Sequence, residues 1–366
     1  MIDALAYSPT DGGLTTAVHD LMHTCRQLLE FEFVVAHPRQ HTSAFGRYGL
    51  ETVSVAVPRR LRFFVSLLVL PLLARRTRAA AVHCEISALP RFLGVPGSLT
   101  VNDVYFLIDR AAGGRSIRQR IMQAYWERLF LASARRARVV KTISESTADD
   151  LRRLVAADLP IVLCEPPVTV PSVSKPLRER LLGADEELRL LFLGSVVPRR
   201  NLPFLLRALQ LVRRPWRLDV VGSLWWGMGE LGSVATDTRV QLHGYVPDAE
   251  RERLLAEAHL LVAPSLHEGF GYPAAEAMSR GLPVFASDAS SFREFVPQAW
   301  RFPLDDPTTL ATMIDDLDAE SFARMSDIAR DAVRRFDQVN HTAKHAELFS
   351  RLVAGQSHRG GSERPR

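Results

Sequence analysis

Cysteine is scarce in this chain of 366 residues, and no two cysteines lie close together in the sequence. Cys25, Cys84 and Cys164 are odd in number and widely spaced, which excludes a disulfide framework and a cysteine-ligated metal cluster. We therefore expect a reduced, cytoplasmic setting.

Long apolar runs are also missing. No stretch reaches the roughly 18–20 apolar residues that a bilayer-spanning helix needs. The first residues, Met1–Ala4, lack the basic start and the apolar run of a secretory signal. We therefore expect neither a membrane-spanning protein nor a secreted one.

The charge balance is mildly basic, with 46 Lys and Arg against 41 Asp and Glu, and almost all of the cations are Arg. This balance suits phosphate-bearing partners, a class that includes nucleotide donors, anionic membranes and nucleic acids. The sequence shows no basic stripe interleaved with aromatic residues, the pattern expected of a nucleic-acid binder. Nucleic acid is therefore not an expected partner.

Paired aspartates that would hold a metal ion are absent from the predicted strand ends. The candidate carboxylates are scattered and mostly typical of turns or helix caps: Asp103, Asp109, Asp149, Asp150, Asp305 and Asp306. We therefore expect no essential metal ion and no other cofactor.

Short β-type runs alternate with longer helical patterns, which indicates an α/β chain with parallel sheets. The length exceeds what one hydrophobic core comfortably supports, so we expect two domains. Four prolines between Cys164 and Pro176 mark the linker. We predict a first domain over 1–165, a second over 166–335, a C-terminal helix over 336–354 and a disordered tail over 355–366.

The apolar periodicity locates most of the elements. Strands are predicted near Ile2–Tyr7, Phe31–Ala36, Thr52–Val57, Ala80–Cys84, Ser98–Val101, Arg138–Ile143, Leu188–Gly194, Arg217–Gly222, Val240–Gly244, His259–Pro264 and Pro283–Ser287. Helices are predicted near Leu14–Leu29, Ser116–Ala134, Ser146–Val155, Leu202–Val212, Asp248–Ala258 and Pro273–Ser279, and throughout 307–354.

The most informative segment is a glycine loop that carries two glutamates. Gly269 and Gly271 stand between a predicted strand and a predicted helix, so backbone N–H groups can approach a phosphate closely. Glu268 on the loop and Glu276 in the helix could accept hydrogen bonds from the vicinal hydroxyls of sugars and riboses. The alternative is a turn that binds no ligand. In that case Glu276 only stabilises its helix, because a negative charge near the helix N-terminus interacts favourably with the helix dipole.

Two regions of the second half resemble family 4 retaining glycosyltransferases, the glycosyl transferases group 1, which have the GT-B fold. The segments that carry the resemblance are Leu191–Gly194, Pro198–Asn201, Pro264–Gly271, Glu276–Met278 and Gly281–Val284. The resemblance implies two Rossmann-like domains whose parallel sheets face a central cleft, with C-terminal helices that cross back to the first domain. It also implies that the first domain binds the acceptor and the second binds the nucleotide sugar.

The resemblance assigns a role to each matching position in the second domain. Glu268 would contact the transferred sugar, Glu276 the nucleotide ribose, and the amides of Gly269, Phe270 and Gly271 the pyrophosphate. Arg200 stands where the family normally has Lys, and it would bind the phosphate as a bidentate donor. Ser195 stands where the family often has another Arg; Arg199 either compensates for it or is a solvated surface charge.

In the first domain, Gly12 and Gly13 lie in a turn that would face the diphosphate. Asn102 stands where the family commonly has a His near the reacting sugar, and Asn cannot carry a proton near neutral pH. Asp103 is either a site residue or a turn former. Asn102 and Ser195 also support an alternative function, a non-catalytic sugar-nucleotide-binding pseudo-glycosyltransferase that acts as a partner or regulator.

The resemblance further implies a retaining transfer that needs no metal ion. Arg200, Arg199 and the Gly269–Gly271 amides would stabilise the leaving phosphate. The expected donor is a nucleoside-diphosphate sugar, with GDP-mannose first, and the expected sugar is mannose or rhamnose. A glycan or a lipid-linked molecule is the expected acceptor.

No acidic residue occurs from Thr52 to Cys84, and arginines flank the apolar stretch Phe63–Ala74. One interpretation is a surface over 59–78 that binds an anionic membrane, which would place the protein peripherally on its inner face. The other is an ordinary core helix with charged ends, interrupted at Pro71.

Overall fold

The structure is a computed structural model that describes residues 1–9, 13–58, 61–85, 88–108, 117–169, 187–223 and 237–355. The chain forms two compact units. The first unit comprises Met1–Pro166 and the segment from Val339 onward, and the second comprises Pro167–Gln338. The predicted disordered tail lies outside the described residues except for Gly355, as does most of the predicted linker.

The first unit contains a sheet of seven strands, all paired in parallel, in the order β3-β2-β1-β4-β5-β6-β7. Its strands are β1 (Ile2–Asp3), β2 (Val34–Pro38), β3 (Glu51–Val55), β4 (Val82–Cys84), β5 (Gly97–Val101), β6 (Val139–Thr142) and β7 (Ile161–Leu163). The order runs outward in both directions from β1 and β4, which is the arrangement of a doubly wound Rossmann-like sheet.

Helices cover both faces of this sheet. They are α1 (Gly13–Gln27), α2 (Thr42–Gly46), α3 (Arg62–Arg76), α4 (Tyr105–Ile108), α5 (Ile117–Arg136), α6 (Glu145–Leu154) and α13 (Gln338–Val353). Buried residues of α1 such as Val18, Leu21, Met22 and Cys25 recur at helical spacing and pack on one face of the sheet. Ser144 caps the N-terminus of α6, and its hydroxyl accepts a hydrogen bond from the Thr147 amide.

The last helix belongs to the first unit. Leu348, Phe349 and Leu352 of α13 are buried in the same apolar cluster as α1 and strands β1 and β2. The ring of Phe349 lies 5.0 Å from that of Phe33 in an edge-to-face contact. The expected return of the C-terminal helix to the first domain is therefore confirmed.

The second unit contains a sheet of six strands, again all parallel, in the order β10-β9-β8-β11-β12-β13. Its strands are β8 (Leu188–Leu193), β9 (Trp216–Val221), β10 (Val240–Gly244), β11 (Leu260–Ala263), β12 (Val284–Ser287) and β13 (Arg301–Phe302). Its helices are α7 (Leu202–Leu209), α8 (Asp248–Glu257), α9 (Tyr272–Ser279), α10 (Phe292–Phe295), α11 (Pro307–Asp315) and α12 (Ala319–Val333).

Several elements differ from the sequence-based prediction. Strands β7 and β13 were not predicted, because three and two residues are too few to show a period. The segment 307–354 is divided into three helices, since Asp306 and Asp318 each cap a new helix with a side-chain oxygen. The interruption at Pro71, which was part of one of the two interpretations of this region, is absent, because α3 continues through Pro71.

Candidate active site

The candidate site of the second unit lies at the carboxyl ends of β8 and β11, the two strands at which the strand order reverses. In a doubly wound sheet the loops at this position diverge and leave room for a ligand. The loop after β8 carries Arg199 and Arg200, and the loop after β11 carries Glu268. The fold therefore brings together three predicted site residues that are far apart in the sequence.

Glu268 is buried and held between the two arginines. One carboxylate oxygen, Oε2, lies 3.2 Å from Nη1 of Arg199, and the other, Oε1, contacts Nη1 of Arg200. Oε1 also accepts a hydrogen bond of 2.8 Å from the hydroxyl of Ser265. A buried carboxylate is stable only with such charged and hydrogen-bonded partners.

Arg199 contacts the backbone of the glutamate loop as well as the side chain of Glu268. Its guanidinium also donates to the carbonyl of His267 at 3.3 Å, and its own carbonyl accepts from the amide of Leu266 at 2.7 Å. The two loops are therefore joined through side-chain and backbone contacts, which fixes the arginines relative to Glu268.

Serines that sequence reasoning missed hold the backbone of the glutamate loop. The hydroxyl of Ser290 accepts from the Glu268 amide at 2.8 Å, and the hydroxyl of Ser291 donates to the Glu268 carbonyl at 3.1 Å. Ser287 donates to the carbonyl of Ser265 at 2.5 Å. No sequence motif marks these serines, but Ser287 ends strand β12 and Ser290 and Ser291 follow it, and loops after adjacent parallel strands meet at one edge of the sheet.

The glycine loop is shaped by a close approach to an aromatic side chain. Gly271 has φ 91°, and a Cβ atom on it would lie 2.6 Å from Cε1 of Phe292. Only glycine combines this backbone with this space. The Phe270 side chain is buried against Phe295 and Phe336, so only its backbone is available for a ligand.

The backbone is also closely packed at the carboxyl ends of β8 and β9. A Cβ atom on Gly222, at the end of β9, would lie 2.2 Å from the carbonyl oxygen of Gly194. The amide nitrogen of Ser195 lies within 2.9 Å of the same point. The side chain of Arg200 passes over Gly194, where an added Cβ would lie 3.3 Å from its guanidinium carbon. Ser195 and Arg200 therefore share one end of the sheet.

Glu276 lies on α9 in a second ion-pair cluster. Its carboxylate contacts Arg251 of α8 at 2.9 Å and Arg280 at 3.4 Å. Burial raises the pKa of Glu276, although the two arginines act in the opposite direction. Arg251 was not predicted, because a single Arg in a charged helix carries no sequence signal.

The predicted residues of the first unit lie after β1 and β5. The buried Oδ1 of Asn102 has no hydrogen-bond partner among the described residues, while its backbone carbonyl accepts from the Thr147 hydroxyl at 3.4 Å. Asp103 accepts from the Tyr105 amide at 3.1 Å, the geometry of a turn former. Gly13 begins α1, and Gly12 lies outside the described residues.

Comparison with known proteins adds sequence and fold relationships. Residues 187–319 match the family model described as glycosyl transferases group 1. O-antigen chain mannosyltransferase B of Escherichia coli is 37% identical over 123 residues, which cover 30% of this chain and 31% of that protein. Among the curated relatives compared, the chain spans between 26% and 60% of the relative's own length.

Two solved structures resemble the whole chain. Sucrose-phosphate synthase from Thermosynechococcus elongatus has a TM-score of 0.75 at 18% identity, over 97% of this chain and 99% of that one. Anabaena HepE in complex with UDP-glucose has a TM-score of 0.67 at 18% identity, over 96% and 99%. At this identity the likeness establishes the fold alone. The predicted fold class, a chain of two Rossmann-like α/β domains of the GT-B type, is confirmed.

Proposed function

We propose, from the match of residues 187–319 to the family model described as glycosyl transferases group 1, that the chain is a retaining glycosyltransferase. It would move a hexose from a nucleoside-diphosphate sugar to a hydroxyl of a glycan or a lipid-linked acceptor. The observation that carries the proposal is the contact of Arg199 and Arg200 with buried Glu268 at the ends of β8 and β11.

The proposed reaction follows from the charges of this cluster. The bond between the anomeric carbon and the diphosphate oxygen breaks, and the electron pair stays on the phosphate. Arg199, Arg200 and the amides of the glycine loop stabilise the negative charge that grows there. The acceptor oxygen bonds to the anomeric carbon from the face that the diphosphate leaves, and its proton passes to the leaving phosphate oxygen.

The proposed reaction assigns roles to Glu268, Glu276 and Asn102. Glu268 binds the hydroxyls of the transferred sugar, and Glu276 binds the ribose. Because the phosphate takes the acceptor proton, Asn102 can serve as a hydrogen-bonding group without acting as a base. Two guanidinium groups supply the charge that a metal ion provides in other transferases, so we propose that transfer continues in the presence of EDTA.

The proposed donor is GDP-mannose. Its support is the similarity to a protein named as a mannosyltransferase. A structural neighbour of lower identity was solved with UDP-glucose, so UDP-sugars are the first alternatives to include. We place the reaction in the cytoplasm.

A thermal-shift screen of nucleotide sugars, followed by a transfer assay, tests the proposal. The correct donor raises the melting temperature, because it binds only the folded chain. Glu268→Gln should keep the fold and lower the transfer rate by about 10²-fold or more. Glu257→Gln, a change in an exposed ion pair of α8, is the matched control.

Two outcomes would contradict the proposal in different ways. If no nucleoside diphosphate or nucleotide sugar stabilises the chain, the donor site itself is wrong. If a nucleotide sugar binds but neither transfer nor donor hydrolysis occurs with any acceptor mixture, the chain is the non-catalytic sugar-nucleotide binder instead.

A further inference from the structure

The outward face of α3 is apolar, although it lies on the surface of the first unit. Leu61, Leu68 and Leu72 are spaced by seven and four residues and therefore share one side of the helix. Leu68 is 75% exposed and Leu72 is 65% exposed. The opposite side faces the core through Ser66, Leu70, Leu73 and Ala74. A surface helix normally carries polar residues on its outward side, so this stripe needs an explanation.

A second exposed apolar stripe lies on α5. Ile117, Ile121 and Tyr125 recur every four residues, and Ile121 is 64% exposed. The ring of Tyr125 stacks on that of Phe64 of α3, with 6.3 Å between their centroids. This contact joins the two stripes into one surface. We call it the two-helix face and define it as Leu61, Leu68, Leu72, Ile117, Ile121 and Tyr125.

The helices beneath this face are held together by aromatic packing. Trp126 of α5 contacts Phe63 at 5.8 Å and Phe64 at 5.3 Å between ring centroids. These residues are partly buried. Leu68 and Leu72 take no part in these ring contacts, so they can be changed without removing the contacts that join α3 to α5.

The surroundings of the two-helix face are basic. Arg75 stands three residues after Leu72, and Arg128 stands seven residues after Ile121, so each extends the stripe of its own helix. Exposed arginines on and beside the two helices include Arg75, Arg76, Arg78, Arg120 and Arg128. The segment Thr52–Cys84 has no acidic residue, and the one acidic residue of α5, Glu127, accepts a hydrogen bond from Gln123 at 2.8 Å.

We propose that the two-helix face binds the surface of a bilayer that contains anionic phospholipids, with α3 and α5 lying in the plane of the headgroups. Apolar side chains would enter the acyl boundary, and arginines would contact lipid phosphates, as in other interfacial amphipathic helices. Within the described residues no helix is long and apolar enough to cross a membrane, so the contact is peripheral.

The charge of the face favours lipid over a second copy of the chain. A symmetric dimer through this face would bring the same arginines against one another, and like charges at an interface are unfavourable. An anionic lipid surface complements both the apolar centre and the basic border. The inference goes beyond the proposed function and does not depend on it, because lipid binding can be measured without donor or acceptor.

The test is co-sedimentation of the full chain with vesicles. We expect binding to vesicles of phosphatidylcholine mixed with phosphatidylglycerol, weaker binding in high salt, and little binding to phosphatidylcholine alone. The double variant Leu68→Ser/Leu72→Ser should lower the partition coefficient about tenfold or more. Arg75→Gln/Arg76→Gln should lower it about tenfold or more on anionic vesicles, since each arginine near the surface is worth about fivefold.

Matched controls distinguish this binding from nonspecific adsorption of the chain to vesicles. Leu29→Ser changes a leucine that is 90% exposed at the end of α1, outside the face. Arg324→Gln/Arg334→Gln removes two exposed arginines of the second unit, one within α12 and one directly after it. Both controls should bind vesicles as the unchanged chain does. All variants should keep the same melting temperature, because none of these side chains is buried.

Three results would overturn the inference. The first is failure of the unchanged chain to bind anionic vesicles. The second is equal binding by Leu68→Ser/Leu72→Ser. The third is a dimer in solution that Leu68→Ser/Leu72→Ser converts to a monomer while vesicle binding is absent, which would assign the face to a second copy of the chain.

Discussion

The guanidinium of Arg199 lies 3.2 Å from the carboxylate of Glu268, so a residue proposed to bind donor phosphate is paired with the residue proposed to bind the sugar. The guanidinium of Arg200 contacts the other oxygen of the same carboxylate. A diphosphate that binds these cations must compete with Glu268 for them. In the proposed reaction, loosening of this pairing would make carboxylate lone pairs available for sugar hydroxyls, which would couple phosphate binding to sugar binding.

The first prediction concerns this pairing. Arg200→Gln should lower kcat/KM by about 10²-fold or more, because the charge on the leaving phosphate grows in the transition state. The expected loss is mainly in kcat, with a smaller increase of KM. Initial rates over a range of donor concentrations measure both parameters, and Arg324→Gln on the exposed side of α12 is the control. Unchanged kcat/KM in both Arg199→Gln and Arg200→Gln would remove the arginines from the mechanism.

The second prediction concerns Gly271. Alanine there would have to adopt φ 91° and would bring its Cβ to 2.6 Å from the Phe292 ring. We expect a loss of about 2–4 kcal/mol in the free energy of unfolding, from backbone strain and overpacking together. Gly244→Ala is a matched control, because Gly244 has φ 68° and nothing within 4 Å of its added Cβ. Urea unfolding should show a clearly smaller loss for the control; equal losses would mean that the contact with Phe292 is unimportant.

The sequence predicted the second unit better than the details of its site. Strand and helix periods are local, so β8, β11 and α9 appeared close to their observed bounds. The hydrogen bonds from Ser290 and Ser291 to the Glu268 backbone depend on how loops after different strands meet. That arrangement follows from strand order, which no local pattern contains.

The continuation of α3 through Pro71 has the same kind of cause. Proline removes one helical hydrogen bond and disfavours a helix interior by about 3 kcal/mol, which is why the sequence predicted an interruption. Burial of Leu70, Leu73 and Ala74 against the sheet stabilises the helix on both sides of the proline. Tertiary packing thus outweighs a local preference, and only the folded chain shows that it does.

The third prediction concerns a buried ion pair in the first unit. Nζ of Lys141 on β6 lies 3.0 Å from the Glu85 carboxylate, which also contacts His83 and Thr100. Burial alone would raise the pKa of Glu85, but Lys141 and the hydrogen bonds lower it to about 2. Lys141→Met should therefore lower the free energy of unfolding by about 3–5 kcal/mol, because it leaves a buried carboxylate without its cation.

A double-mutant cycle measures this coupling. Adding Glu85→Gln to Lys141→Met should restore part of the stability, since no uncompensated charge then remains. Lys344→Met on the exposed pair with Glu347 is the control and should cost less than about 1 kcal/mol. Additive losses in the double variant would show that the two residues do not stabilise one another.

The last prediction concerns acid sensitivity of the C-terminal helix. His341 of α13 is buried, and its Nδ1 donates to the carbonyl of Glu165 at 2.8 Å. Burial, with a smaller effect of Lys141, lowers the pKa of His341 from 6.5 to about 4. The unfolded chain therefore takes up a proton on this residue as the pH falls through 6.5, while the folded chain does so only near pH 4. The free energy of unfolding should fall across that window by about 3 kcal/mol from this residue alone.

The slope with pH distinguishes this effect from general acid destabilisation. His341→Gln should flatten the dependence between pH 6 and 4.5 by about 1 kcal/mol per pH unit, because glutamine does not titrate. The single variant His345→Gln should also reduce the slope of the free energy of unfolding with pH, since burial lowers the pKa of His345 well below its ordinary value. Asn340→Gln, which exchanges one exposed non-titrating side chain of α13 for another, should keep the original slope. Urea unfolding at successive pH values gives these slopes, and identical slopes for all four proteins would show that protonation of α13 does not limit stability in acid.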